Sequence, residues 1–342
     1  MLKLSLIIPV YNVELYLRKC LDSVLNQGLN EDEYEVILVN DGSKDSSLSI
    51  CNEYAEKHPN FKIISQENSG VSAARNNGID HAIGEFVGFI DSDDYFLDNG
   101  LYLATCQFSN RKDIDIIHYY SSYDYWEVKP IDNSIDFDST TFENIKKGGL
   151  PSFCWLYLYR REFLNKYHLR FKKYVVGEDV LFTSSVFLKD VRMVSTKANI
   201  YRYVIRDNSA STKRSKEFSR KCVDDYLNAL YDLQTIIKED NVERDTEVYN
   251  VCINTVNYKK MFGFSRILSS DFSWNEFKHI KQQCKEKAFY PVVPYSSSWK
   301  NKIQCKIMNL ALKNTFVYKT GAFLFNSIVV PFVLPFLRKN FK

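Results

Sequence analysis

Short apolar runs alternate with helix-spaced patterns along the first third of this chain, and few folds accommodate that rhythm. The runs cover residues 4–10, 35–40, 62–65, 86–90 and 114–120, and they are rich in Val, Ile and Phe. Runs of that kind suit strands covered on both faces. Between the first two, Leu17, Leu21, Val24 and Leu25 recur at helical spacing. Between the next two, Leu48, Cys51, Tyr54 and Ala55 do the same until His58-Pro59 stops the helix. The β-α-β-α-β succession predicts an α/β fold, a Rossmann-like, mostly parallel sheet flanked by helices.

After about Thr212 the strand signals fade and helical patterns cover 216–238, 246–268 and 274–286. The expected organisation is an α/β domain over 1–212, a helical extension over 213–286 and a tail over 287–342, a reasonable division for 342 residues. A hydrophobic share of 45% and a charged share of 25% exclude a largely disordered chain. The eight cysteines are scattered without a C-x-x-C pair, so they read as reduced thiols, mostly in the core. The apolar N-terminal run is shorter than a signal-peptide core, which places the expected location in the cytoplasm. Neither nucleic acid nor a dinucleotide is an expected partner, and no G-x-G-x-x-G follows the first strand.

The strand-like runs end in polar groups: Tyr11-Asn12, Asp41-Gly42-Ser43 and Asp91-Ser92-Asp93-Asp94. Ligands of open α/β sheets sit beyond the carboxyl ends of the strands, so these groups should share one cleft. Three acids within four residues repel one another unless a cation joins them. A hard divalent ion, Mn²⁺ or Mg²⁺, held by one or two carboxylates and the phosphates of a nucleotide, meets that need. An acidic turn or a helix-capping aspartate is the plainer alternative.

The order and spacing of Ile8-Pro9-Val10-Tyr11-Asn12, Val39-Asn40-Asp41-Gly42-Ser43, Asn68-Ser69-Gly70-Val71-Ser72-Ala73-Ala74-Arg75-Asn76 and Asp91-Ser92-Asp93-Asp94 resemble the nucleotide-binding half of family 2 glycosyltransferases. The resemblance covers roughly the first 210 residues. It implies a GT-A fold, with a nucleotide-sugar half over about 1–120 and an acceptor half over about 121–212. It also implies inverting, metal-dependent transfer of a sugar from a nucleotide diphosphate to an acceptor hydroxyl. A sugar nucleotidyltransferase and a catalytically silent nucleotide-sugar-binding protein are the alternatives.

On the donor side the resemblance implies Pro9, Val10, Tyr11, Asn12, Glu14, Asp41, Asn68, Gly70, Arg75, Asp91, Ser92 and Arg206. Tyr11 offers a face for the base, and Asp41 a carboxylate for the imide N–H of uracil, which favours a UDP-sugar. Arg75 stands against the nucleotide, or else pairs with a surface acid. Asp91 and Asp93 match the family's D-x-D motif, Asp91 toward the ribose and the metal's water shell, Asp93 as direct ligand. Val176-Gly177-Glu178-Asp179 looks like the family's E-D motif, with Asp179 the base and Glu178 its positioning neighbour. Taken alone, such a pair simply complements a helix dipole. Trp155 stacks a sugar or belongs to the core. Tyr201-Arg202-Tyr203 and Arg206-Asp207-Asn208-Ser209 resemble a loop that closes on the diphosphate; without a histidine ligand there, Arg206 supplies the positive charge and the third metal ligand stays open.

From Lys287 onward there is no Asp or Glu and the charge is +9, leaving −6 for the residues before it. Ile303, Ile307, Leu310 and Ala311 fall on one helical face, and Lys302, Lys306, Asn309 and Lys313 on the other. A basic amphipathic helix suits an anionic membrane surface. The uncharged run 321–337 is too short and interrupted to span. Peripheral attachment through 300–342 to the inner face of the cell membrane is expected, with a glycan or lipid-linked acceptor in surface-polysaccharide synthesis. Packing on the body or on a second subunit is the alternative, so oligomeric state stays open.

Overall fold

The computed structural model describes residues 3–206, 215–240, 242–269 and 272–324. Two compact units divide the chain: Met1–Lys173 with Glu178–Arg206, and Tyr174–Gly177 with Asp207–Lys342.

The first unit is built on one sheet of β1 (Leu4–Val10), β2 (Tyr34–Asn40), β3 (Phe61–Ser65), β4 (Phe86–Phe89), β5 (Tyr95–Phe96), β6 (Ile116–Tyr123), β7 (Ile135–Thr140), β8 (Tyr157–Arg160) and β9 (Arg192–Tyr203). Its order is β3-β2-β1-β4-β8-β6-β9-β5, with β7 also on β9. The half read from the apolar runs, β3 to β4, is parallel. Beyond β4 the sheet turns mixed: β8 is antiparallel to β4 and β6, while β6 and β9 run parallel. The helices α1 (Glu14–Leu25), α2 (Ser47–Lys57), α3 (Val71–His81), α4 (Gly100–Thr105), α5 (Thr141–Gly148), α6 (Arg161–Lys166) and α7 (Glu178–Phe187) belong to this unit.

Every residue of β1 and β2 is buried, as their uniform apolarity requires. A Cβ on Gly78 of α3 would lie 2.4 Å from Ile7 Cγ2, so glycine there lets α3 approach β1. Gly70, at φ 90°, turns the chain into α3 through the left-handed region.

The second unit holds α8 (Lys216–Glu239), α9 (Thr246–Ser269), α10 (Trp274–Glu286), α11 (Trp299–Lys313) and α12 (Thr315–Leu324). Leu227, Leu230, Phe264, Phe277, Ile280, Leu312 and Tyr318 form its core, with Phe277 and Tyr318 stacked at 3.8 Å. The segment Tyr174–Gly177 belongs with these helices: Tyr174 Oη donates to Asp232, and Val175 N to Asp225, each at 2.8 Å.

The expected amphipathic helix is α11, but its faces divide differently from the sequence reading. Cys305, Ala311 and Leu312 are buried, while Ile303, Ile307 and Leu310 are 45, 54 and 52% exposed beside exposed Lys302, Lys306 and Lys313. Ala311 thus leaves the apolar outer face and joins the core. Of the uncharged run 321–337, residues 325–337 lie outside the described residues. Among the described residues, no helix is long and apolar enough to cross a membrane.

Candidate active site

The carboxylate cluster stands where β4 ends, because ionised side chains cannot continue a strand buried on both faces. Asp94 folds back under the turn and is 1% exposed. Its carboxylate accepts from Tyr201 Oη at 2.6 Å and Val204 N at 2.8 Å, which ties the turn to the end of β9. Burial, with repulsion from Asp91 and Asp93, pushes Asp94 up to about 8. Asp93 pairs with Arg206, just after β9. Burial and then Asp91 still hold Asp93 above the usual carboxylate range. Asp91 is partly open, and Ser92 is buried.

Arg75 connects this turn to α7. Its guanidinium donates through Nη2 to Asp91 Oδ1 at 2.8 Å, and through Nη1 to Asp179 Oδ1 at 2.6 Å and Glu178 Oε1 at 3.3 Å. The side chain is only 3% exposed. Burial alone would favour the neutral form, but Asp179, Asp91 and Glu178 outweigh it and keep Arg75 protonated. Its Nε has no hydrogen-bond partner among the described residues. Arg75 therefore pairs with acids, as the alternative reading allowed, but with buried and part-buried acids instead of a surface acid.

The Glu178-Asp179 pair opens α7. Burial raises Glu178, repulsion from Asp179 adds to it, and the result is about 8. Burial also raises Asp179, with Arg75 opposing. Glu178 therefore keeps its proton near neutrality. Asp179 is the more accessible, at 19% side-chain exposure against 11%. Cys154 Sγ donates to the same Asp179 oxygen at 3.4 Å. Nothing in the sequence singled out Cys154, although its position beside Trp155 was a usable signal.

On the other side of β1, Pro9 and Val10 are buried in the strand, and Val10 O accepts from Asp41 N at 2.9 Å. Tyr11 is 49% exposed. Asn12, at φ 47°, accepts from Lys44 N, and Glu14 accepts from Ser46 N, each at 2.8 Å. Asp41 is buried and accepts from Gln66 Nε2, Ser69 N and Gly70 N, each at 2.8 Å. It anchors the 66–70 loop, a duty the sequence reading did not assign. Asn68 and Gly70 are exposed on that loop.

Trp155 is 5% exposed and stacks on Tyr201 at 4.2 Å, so its core alternative holds. Tyr201-Arg202-Tyr203 do not form the expected loop. They end β9 and pair with β5 and β6, and Tyr201 and Arg202 are buried. Asp207-Asn208-Ser209 lie outside the described residues.

Among the described residues no group of three or more His, Cys, Asp or Glu side chains is arranged to hold a metal. Asp91 and Asp93 are crowded, part-buried carboxylates of the type a hard divalent ion takes, and each already faces a guanidinium, Arg75 and Arg206 respectively. A cavity of about 580 Å³ lies elsewhere, lined by residues including Lys19, Asn26, Tyr95 and Lys129 and by none of these carboxylates.

Residues 5–168 match the family described as Glycosyl transferase family 2. EpsH of Bacillus subtilis (strain 168), named as a glycosyltransferase, is 33% identical over 247 residues, covering 69% of each chain. Glycosyltransferase GlyA of Streptococcus pneumoniae serotype 4 is 34% identical over 239 residues, 65% of this chain; the match spans only 33% of GlyA. The crystal structure of Staphylococcus aureus TarS 1–349 in complex with UDP-GlcNAc superposes with a TM-score of 0.66 at 22% identity, covering 95% of this chain and 92% of that one. The mixed sheet with its flanking helices and helical C-terminal region is the GT-A architecture.

Proposed function

The chain belongs to glycosyltransferase family 2, and from that premise we propose that it transfers a sugar from a UDP-sugar to an acceptor hydroxyl with inversion, in the synthesis of a surface polysaccharide. The observation that carries this reading is the Arg75 clamp. One buried guanidinium holds Asp91, at the turn proposed for the donor, and Asp179, the proposed base.

In this reading Tyr11 stacks the uracil and Asp41 meets its imide edge. Arg206 supplies positive charge near the diphosphate. Mn²⁺ or Mg²⁺, held by Asp93 with Asp91, would neutralise charge on the leaving diphosphate when bound. Asp179 accepts the acceptor hydroxyl's proton while that oxygen bonds to the anomeric carbon from the face opposite the departing diphosphate. Positioned bases of this kind contribute about 10² to 10⁴ in rate. Protonated Glu178 keeps a second anion from crowding Asp179. Burial raises the pKa of Asp179 above the ordinary carboxylate value, which makes it a stronger base for the acceptor hydroxyl's proton.

The proposed location is the cytoplasmic face of the membrane. The exposed Ile303, Ile307 and Leu310 of α11 would meet the acyl boundary, and Lys302, Lys306 and Lys313 the anionic headgroups. This supports a lipid-linked glycan acceptor.

A thermal-shift panel of nucleotide sugars with and without Mn²⁺ tests the donor assignment. A UDP-sugar at 100 times its Kd should add about 2.7 kcal/mol, in a metal-dependent way. No shift with any nucleotide sugar, beside a shift with nucleoside triphosphates, would replace transfer by nucleotidyl chemistry.

A further inference from the structure

Aromatic residues make up 15% of the chain, and not all of them serve the core. At the end of β6 and shortly before β8, Tyr123, Tyr125, Trp126 and Phe153 are 39, 51, 49 and 50% exposed. Single exposed apolar residues need no explanation, but these belong to one continuous ladder of rings. Tyr123 stacks on Tyr125 at 5.2 Å and meets Trp126 edge-on at 5.6 Å. It reaches Tyr203 at 6.0 Å, and Tyr203 lies parallel to Trp155 at 6.2 Å. Trp155 stacks in turn on Phe153 at 5.0 Å and on Tyr201 at 4.2 Å.

The inner end of the ladder is fastened to the proposed machinery. Tyr201 Oη donates to Asp94, and Cys154, between Phe153 and Trp155, donates to Asp179. The outer end is held by backbone: Asp124 N donates to Tyr203 O at 3.0 Å, and Trp126 N to Tyr123 O at 3.1 Å. The exposed rings are therefore joined, through Tyr203 and Trp155, to the residues around the proposed base.

Resting on the transferase reading above, we infer that Tyr123, Tyr125, Trp126 and Phe153 form the acceptor subsite and take neutral pyranose rings of a glycan chain. A pyranose has an apolar C–H face and a rim of hydroxyls. Tyr and Trp match the face with flat area that loses little conformational entropy on binding. Asp124 and Glu127 flank the rings and can accept hydrogen bonds from the rim. With Lys129 as the following base, this surface carries no excess of positive charge and does not favour a polyol-phosphate chain.

The test is binding of the full chain, with UDP and Mn²⁺, to an array of neutral pyranose oligosaccharides and to poly(ribitol phosphate). The wild type should bind neutral glycans, and the Tyr125→Ala/Trp126→Ala variant should bind them about 10-fold or more weakly. Trp126→Phe should stay within a few-fold, and all three proteins should hold UDP equally, which also shows that they fold. No neutral glycan bound, a preference for poly(ribitol phosphate), or equal glycan binding by the double variant overturns the inference while UDP binding stands. Loss of UDP binding by the wild type would instead overturn the transferase reading and this inference with it.

Discussion

Replacing Arg75 with Met keeps most of the side chain's length and removes its charge, leaving Asp91, Glu178 and Asp179 facing one another without their shared cation. Breaking a buried ion pair by removing one partner costs about 3 to 5 kcal/mol. Asp91 and Asp179 are 29% and 19% open, so water replaces part of the lost interaction and the lower figure, about 3 kcal/mol, is the better expectation. For a domain of this unit's size that corresponds to a fall in Tm of roughly 6 to 12 °C.

The loss must also depend on pH. The folded pKa values of Glu178 and Asp179 already lie above their unfolded values, so the folded state binds more protons and stability falls as pH rises from about the unfolded carboxylate range to about 8. Arg75 opposes that shift in both groups, and its removal raises both folded values further. The variant's deficit should therefore be larger at pH 8 than at pH 5. Scanning calorimetry of both proteins at the two pH values measures it. Equal Tm at pH 8, or a larger deficit at pH 5, would refute the electrostatic account of the clamp.

Glu178→Gln should be close to the wild type in stability near pH 5 and exceed it increasingly toward pH 8, because it imitates the protonated acid and has no proton to release on unfolding; an unchanged pH profile by thermal melt would count against the assignment. Asp179→Asn should leave UDP-sugar affinity within a few-fold and lower turnover by about 10² or more. If affinity collapsed while turnover held, the base lies elsewhere. Asp93→Asn, or EDTA on the wild type, should nearly abolish transfer and metal-assisted UDP binding without unfolding the protein; full activity in chelator would sink the metal assignment. Exchanging Ile303, Ile307 and Leu310 for Gln should reduce flotation with anionic vesicles, and equal flotation would make α11's outer face a protein contact.

The parallel half of the sheet was legible because β1, β2 and β4, buried on both faces, write unbroken apolar runs. Of the mixed half only β6 was, through the run 114–120. Both β8, reading Tyr157–Arg160, and β9, reading Arg192–Tyr203, carry aromatic and charged residues whose partners come from distant sequence, so local pattern gives no pairing or direction. The acids of the site could be read because clustered charge at a strand end is anomalous. The role of Arg75 could not, since its partners Asp91 and Asp179 are 16 and 104 residues away. For the same reason the tail's amphipathic pattern overstated its independence. Cys305, Ala311, Leu312 and Tyr318 belong to the second unit's core, so removing everything after Glu286 would damage that unit as well as any membrane contact.

Asp41 has a consequence for anyone seeking to redirect the donor preference. Its carboxylate already receives Gln66 Nε2 and the backbone N–H groups of Ser69 and Gly70. An exchange to Asn would turn an amide donor toward groups that are themselves donors, or leave one of them unmatched. A library varied at this position alone would thus sample loop collapse along with base choice. Productive variants should be found where 41 and 66–70 change together, so in the proposed reading any base preference set at Asp41 is tied to the loop that it anchors.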